Sequence, residues 1–507
     1  MRKATAAMAL WAAAWLLPSA CGTAPNEPRT GLVIAMQNAP ATMDPGVALD
    51  EASQKIQQLV FSSLLKIDDH LRVAPDLATR FEALDPLTYV AEIPAGVRFH
   101  DGREMTAKDV AFTFRRFLDP AFVSGRKGAY HDLASVEVRG PYTVAFHLSR
   151  PAASFPINLV MSLVPDGTGA EAARHPVGSG PYRLREFVPD DHVTLDPFPS
   201  AFGGVAKNSQ ITFKVVPDET MRGLELRKGS VDLVVNDMSP DLVASLRQVP
   251  HLQVVTALGT DYAYLGFNLR DPILADLRVR QAVATAIDVG SIVKYLRRGL
   301  AEPATSIVPP MSWAHADDIA PTPYDPARAR ALLDEAGHRD PGNGRPRLHL
   351  TLKTSTAEAY RVQAAVIQRN LADVGIACDI LTSEFSTLMA DVLHGNVQLY
   401  TLQWIGVTDP DMLRRVFSST QVPPAGFNRG FYRSPRADQL IDEATAASDE
   451  GDRATLYKTA ARVIAADVPY VSLWYRTNTI VAQSNVTGLT LSPTADFGFL
   501  ANVTRRQ

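Results

Sequence analysis

The residues best placed to touch another molecule lie in QLYTLQWIGVTDPD, Gln398 to Asp411. Leu399, Tyr400, Thr401 and Trp404 favour extended backbone, and Gly406 with Asp409-Pro410 breaks the strand into a loop. In an open α/β sheet ligands settle beyond the carboxyl ends of the strands, which sets Trp404 and this loop at a crevice. An indole beside a partly polar loop can stack on a ligand and still donate a hydrogen bond. Equally, Trp404 can be a core residue ahead of an ordinary turn, and both readings stand.

Reactive constellations are scarce elsewhere. The sequence has no HExxH, CxxC, Walker A or GxSxG pattern, and its 11 histidines are scattered. The GxG in PVGSGPYRL, Pro176 to Leu184, leads through Pro181 into a strand rather than a helix, so it reads as a tight turn and no phosphate cradle. The pairs Asp190-Asp191 and Asp317-Asp318 fall in polar loops, where adjacent carboxylates are solvated. His100, in FHDG, reads as a structural residue at an Asp-Gly turn. Cys378, in the apolar run GIACDI, reads as a small buried hydrophobe rather than a nucleophile. No catalytic residue, metal set or cofactor is expected.

A chain of 507 residues, 46% hydrophobic and 21% charged, is too long for one core, so two or three domains are expected. Its start, MRKATAAMALWAAAWLLPSACG, has basic Arg2 and Lys3, an apolar run from Ala4 to Leu17 too short to span a bilayer, and small residues before Cys21. That is a secretory signal over residues 1–21, and it resembles the bacterial lipobox, in which the cysteine is lipidated; Pro18 stands where that pattern prefers leucine. Losing Arg2 and Lys3 leaves 48 basic against 54 acidic residues, a net of −6, which argues against nucleic acid and against a polybasic membrane patch. Small, polar and proline-containing residues 22–30 form a tether.

The elements that must position the central loop alternate. LVIAM is a first strand; Thr106 with Asp109 is a capping box for a helix striped by Val110, Phe114, Phe117 and Leu118. ITFKVVPDETMRGLELRKGSVDLVV reads as strand, helix, Gly229 and strand, a β-α-β unit. Two helices divide near Asp288, and another starts at Asp325-Pro326 and ends at Gly337. Later come the strand RLHLTLKT, an amphipathic helix from Tyr360 to Val374, the helices DQLIDEATAAS and DRATLYKTAARVIAADVP, and the strand YVSLWYRTNTIV. The fold class is α/β, without a repeat of fixed period.

Six of these segments occur together in one family. YAYLGFN followed by DLRVRQAVATAID, FHDGREMTAKDVAFTF, PVGSGPY, DPARARALLDEAG and RATLYKTAARVIAADVPYVSLW resemble the family 5 solute-binding proteins of ABC importers, of the dipeptide-, oligopeptide- and nickel-binding type. The match runs from about Leu32 to Val486 in the family's order. It implies a two-lobed periplasmic-binding-protein-like fold with an extra subdomain on the first lobe. Lobe one would be 31–48, 175–262 and 476–507, the subdomain 49–174 and lobe two 263–475, with crossings near Gly266 and Tyr475. The implied function is a substrate-binding lipoprotein, a monomer anchored by Cys21 on the periplasmic side of the envelope. It would capture a peptide or peptide-like ligand for an ABC permease and its ATPase subunits. A secreted peptide hydrolase, and a chaperone or signalling receptor on the same scaffold, are the alternatives.

The residues this resemblance sets at the cleft are Asn38, Ala39, Tyr262, Trp404, Ile405, Gly406, Val407, Asp409, Asn428 and Arg429. For Arg429, ligand contact and an ion pair with Asp409 or Asp411 are equal readings. Members that grip a free peptide amine carry an aspartate three residues after a tryptophan in this loop. Here that place falls on Val407, or on Gly406 when counted back from Asp409-Pro410, and neither is acidic. Unless another carboxylate replaces it, free-amine dipeptides should bind poorly, and Val407→Asp should move preference toward them. The signal segment generates a first expected outcome: mass spectrometry of the protein from its host finds lipid on Cys21 at the mature N-terminus. An unmodified N-terminus elsewhere refutes this.

Overall fold

The computed structural model describes residues 31–506, so the signal segment, the tether and Cys21 lie outside the described residues. One eleven-stranded sheet organises the chain. Its order is Ile376–Ser383, Leu348–Ser355, Leu399–Trp404, Leu252–Phe267, Tyr470–Gln483, Leu233–Val235, Leu32–Met36, Ile211–Val215, His192–Pro197 and Tyr182–Val188, with Ala301–Pro303 beside Tyr470–Gln483. Two of these strands are long, 16 residues in Leu252–Phe267 and 14 in Tyr470–Gln483, and each serves both halves of the sheet. They pair antiparallel from Leu252 opposite Gln483 to Gly266 opposite Tyr470, with a slip in register between Leu258 and Tyr262. A slip of this kind leaves residues unpaired and lets a strand bend.

The β-α-β reading holds in detail. Helix Glu219–Lys228 starts on the Asp218 side chain and ends at Gly229, whose φ of 73° is the left-handed conformation that glycine adopts without strain. Strand Leu32–Met36 lies between its two strands, parallel to both. The capping box forms as expected: Thr106 N–H donates to Asp109 Oδ2 at 2.7 Å, and Val110, Phe114 and Phe117 are buried under a four-stranded antiparallel sheet. That sheet, Arg80–Asp85, Thr88–Glu92, Thr143–Leu148 and Leu133–Val138, belongs to the inserted segment. The helices around Asp288 are Leu277–Ala286 and a short Val289–Ser291 continuing as one π turn, Ile292–Leu296.

Two contacts seat the inserted segment on the sheet. Arg116 clasps Asp44 with both terminal nitrogens, at 3.1 and 2.6 Å, and both side chains are nearly enclosed. The GSG turn is the other. A Cβ at Gly178 would stand 1.9 Å from the Val60 carbonyl oxygen, and one at Gly180 2.6 Å from that of Leu59, so the turn needs glycine for close approach. His100 clasps the same turn: Gly178 N–H donates to Nδ1 at 3.2 Å, and Nε2 lies 3.2 Å from the Gly180 carbonyl oxygen. With Nδ1 accepting, the ring is neutral and carries its proton on Nε2. Cys378 is a buried free thiol pushed up to about 12 by burial and the nearby Asp379 charge, which leaves it unreactive.

Burial also lowers the His100 pKa from 6.5 to about 4. Because the folded value lies below the unfolded one, the stability of this clasp is complete above about pH 6.5 and lost as pH falls toward 4. Chemical denaturation across that range should show a loss of roughly 3 kcal/mol from this group. His100→Gln should remove that part of the slope.

Candidate functional site

A cleft of about 830 Å³ opens between the first helix with part of the inserted segment and the loop that follows strand Leu399–Trp404. One wall comes from the first helix, Glu51–Val60, through Gln54, Gln57 and Gln58, and from inserted residues such as Arg126, His131 and Ser154. The other is the loop and short helix after strand Leu399–Trp404: Gly406, Thr408, Asp409, Asp411, Met412, Arg414 and Arg415. Thr494 and Asp496 close its base. A depression of about 810 Å³ lies elsewhere, wholly on the inserted segment between Lys108, Arg115 and Glu137, and joins no separate parts of the chain.

Strand pairing fixes the loop. Trp404 lies opposite Tyr262, one residue past the register slip, so the strand's end and the bend in its neighbour coincide. Asp261, inside that slip, accepts the Gly406 N–H at 2.9 Å and the Gln403 amide at 3.2 Å, and sits 3.5 Å from Arg476 on the other long strand. Gly406 has φ 65°, and Val407 N–H donates to the Thr260 carbonyl at 3.1 Å. Between these ties the backbone turns sharply, leaving Ile405 68% exposed and Val407 1% exposed.

Aromatic faces hold the cations here. Arg429 lies 4.3 Å above the Trp404 ring and 5.7 Å from the Phe427 ring, and Arg415 lies 5.3 Å from that same Phe427 ring. Arg429 Nη1 reaches the Tyr264 hydroxyl at 3.4 Å, while its Nε and Trp404 Nε1 are buried without a hydrogen-bond partner. Cation–π contact of this kind contributes about 1 kcal/mol. Asp411 is taken by Arg414 at 2.8 and 2.7 Å, so the ion pair considered for Arg429 does not form. Asp409 accepts the Asp411 N–H at 2.7 Å on Oδ1. Burial raises its carboxyl to about 6; that hydrogen bond lowers it, the Asp411 charge raises it, and Arg453 and Arg415 offset part of the rise.

The residues named from sequence thus divide. Gly406 and Asp409 line the cleft, with Ile405 projecting beside them. Asn38 lines a smaller neighbouring cavity of about 50 Å³ with Lys55 and Asp237, and Ala39 follows it, half-buried. Trp404 and Arg429 form one stacked unit. Tyr262 is enclosed, its hydroxyl 2.7 Å from Ser472 Oγ, so it supports the site from behind. Asn428 spends both ends of its amide on Ser418 and Tyr432 and thereby positions Arg429 without facing a ligand itself. Val407 packs in the apolar cluster. Asp261, Arg415 and the glutamines of the first helix were not found from sequence. Among the described residues no group of three or more His, Cys, Asp or Glu is arranged to hold a metal ion.

A two-lobed α/β fold with a cleft lined by polar groups from two distant segments fits a receptor for a small solute. The chain belongs to the bacterial extracellular solute-binding proteins, family 5, whose model matches residues 72–423. It is 30% identical to the oligopeptide-binding protein AppA of Bacillus subtilis (strain 168), over 93% of this chain and 91% of that one. The glutathione-binding protein GsiB of Escherichia coli is 28% identical over 95% of each chain. The solved structure of Bacillus subtilis AppA in complex with a nonapeptide superposes with a TM-score of 0.75 at 28% identity, covering 94% of this chain and 99% of that one. The fold is therefore the two-lobed periplasmic-binding-protein-like α/β architecture with an extra subdomain.

The burial of Val407 changes what its substitution should do. Val407→Asp would put a carboxylate among Leu402, Trp404 and the rest of that cluster. We expect a loss of about 3 kcal/mol or more in urea denaturation, with no new preference for free amines. Wild-type stability together with altered ligand preference would show that the side chain turns outward.

Proposed function

We propose that this chain captures peptides or peptide-like solutes outside the cytoplasmic membrane and passes them to the permease and ATPase subunits of an ABC importer, doing no chemistry itself. The observation that carries this is the cleft: its walls come from segments some 350 residues apart, Gln54–Phe61 and Gly406–Arg415. The oligopeptide and glutathione ligands named for AppA and GsiB support a peptide ligand. In this reading lobe one is 31–48, 175–262 and 476–507, the subdomain 49–174 and lobe two 263–475. The crossings lie near Gly266, whose backbone packs closely on the Tyr400 ring, and near Tyr475. The ten residues named for the site fall in two groups, Asn38, Ala39 and Tyr262 on lobe one and Trp404–Val407, Asp409, Asn428 and Arg429 on lobe two. Lipid on Cys21 holds a monomeric receptor at the membrane surface while the tether lets it swing.

Micromolar affinity, about −8 kcal/mol, suits capture followed by release. The protein should bind one ligand per chain and compact on binding. Mass spectrometry should find a peptide-like molecule co-purifying. Returned to stripped protein, that molecule should lower the radius of gyration in solution scattering and stabilise the fold by about 2.7 kcal/mol at a hundredfold excess over Kd. A saturating ligand that leaves the scattering unchanged would refute hinged closure.

A further inference from the structure

Helix Glu450–Asp467 meets the inserted segment with its first turn. Two arginine contacts make the junction, between residues 378 and 300 apart in sequence. Arg72 Nε lies 2.8 Å from Glu450 Oε1, and one turn further along the helix Arg453 Nη1 donates to the Ala153 carbonyl at 3.4 Å. In the lobe assignment proposed above, residues 49–174 and 263–475 fall on different bodies, so both contacts join parts that closure brings together. Ala152 and Ser154, on either side of Ala153, line the cleft.

The two contacts are not alike. Arg72 and Glu450 are about half-exposed, and a pair so placed contributes little however the bodies stand. Arg453 is only 9% exposed. From its own body come the rings of Trp313 at 5.3 Å and Tyr457 at 5.9 Å; from the inserted segment come the Ala153 carbonyl and, near it, Tyr89, whose hydroxyl donates to the Ala152 carbonyl at 3.4 Å. Among these groups Arg453 Nε and Nη2 are closed to solvent and have no hydrogen-bond partner among the described residues. Asp409 attracts the guanidinium from farther off and forms no ion pair with it. A ring face attracts a cation but leaves its N–H groups unmet.

Burying a guanidinium with two donors unmet costs more than two ring contacts return. When the bodies part, the inserted segment no longer covers Arg453, and water completes its hydrogen bonds. We propose that Arg453 biases the receptor toward its open form: closure strips water from a charge that the closed arrangement does not satisfy, and ligand binding must offset the difference. This rests on the lobe assignment and the hinged closure proposed above, whatever the ligand. Its consequence is a ceiling on affinity, because part of the interaction made in the cleft goes into dehydrating Arg453, and the bound solute leaves sooner than the cleft contacts alone would allow.

Cross-linking of the stripped mature protein, with no ligand added, tests this. Arg72→Cys with Glu450→Cys sets a thiol on each body, and the rate at which a short bis-maleimide joins them reports how often the bodies meet; Cys378 is buried and inert. Peptide mapping identifies the joined product. Arg453→Met, apolar and of similar reach, should raise that rate by about tenfold or more, the weight of one unmet charged hydrogen bond, and lower the radius of gyration. Arg453→Lys keeps a strongly hydrated charge and should stay near the parent's rate. A rate that Arg453→Met leaves unchanged or lowers would overturn the proposal. So would an equal rise in Arg453→Lys, which would trace the effect to packing. If Arg453→Met does not fold, scattering from the stripped wild type decides: it should be more extended than the closed arrangement, and an equally compact wild type would overturn an opening bias. Because no ligand is present, failure of the peptide reading leaves these outcomes untouched. Joined and unjoined protein that scatter alike would refute hinged closure, and this proposal with it.

Discussion

Everything in this molecule depends on two strands that serve two cores at once. Leu252–Phe267 and Tyr470–Gln483 are hydrogen-bonded to each other along most of their length, yet each flank of the pair is covered by a different set of strands. A paired ribbon resists stretching and shear but bends and twists where its register slips. The pair slips in register between Leu258 and Tyr262 and again between Ala263 and Tyr264, and the loop after Trp404 is tied to the first of these. Asp261 joins Gly406 of that loop to Arg476 of the second strand, and Arg476 reaches the Asn236 carbonyl at 2.6 Å. In the proposed closure, bending at the ribbon would carry the cleft wall with it.

Arginines are used in two different ways. Arg222 and Arg280, deep in the cores, spend their guanidinium nitrogens on backbone carbonyls: Arg280 on those of Leu274, Ala275, Asp467 and Val468, Arg222 on those of Val216, Pro217 and Asp237. These are closed accounts of donors and acceptors. Near the cleft, Arg415, Arg429 and Arg453 rest on aromatic rings, with few hydrogen bonds made. A ring attracts a cation without consuming its donors; of the three, Arg415 lines the cleft.

The elements were largely legible in the sequence because local chemistry sets them. Thr106 and Asp109 cap a helix wherever they fall three apart, and Gly229 ends one because it alone takes a left-handed turn cheaply. Trp404 shows where such reading stops. Its strand was evident, but whether the ring is core or ligand-facing depends on Arg429 and Phe427, residues beyond the next helix. Val407 is harder still. A loop has no periodicity, and its inward direction follows from the Thr260 and Asp261 hydrogen bonds to the loop backbone, contacts about 145 residues away in sequence. The glutamine wall of the first helix was hidden for the same reason: amphipathic spacing marks the buried face of a helix and says nothing of what its polar face will meet.

The long stretch of chain between the first strand and its sheet partners also bears on how the chain assembles. Strand Leu32–Met36 is among the earliest segments made, yet its partner Leu233–Val235 pairs on its far side with Tyr470–Gln483, near the opposite terminus. Contacts that span most of the chain pay their loop-closure entropy before they return any burial, and such topologies fold slowly. The part that begins first is therefore finished last. Until the final fifth of the chain is present, that half of the sheet carries an open apolar edge, so a nascent chain stays pliable and dependent on being shielded from its neighbours.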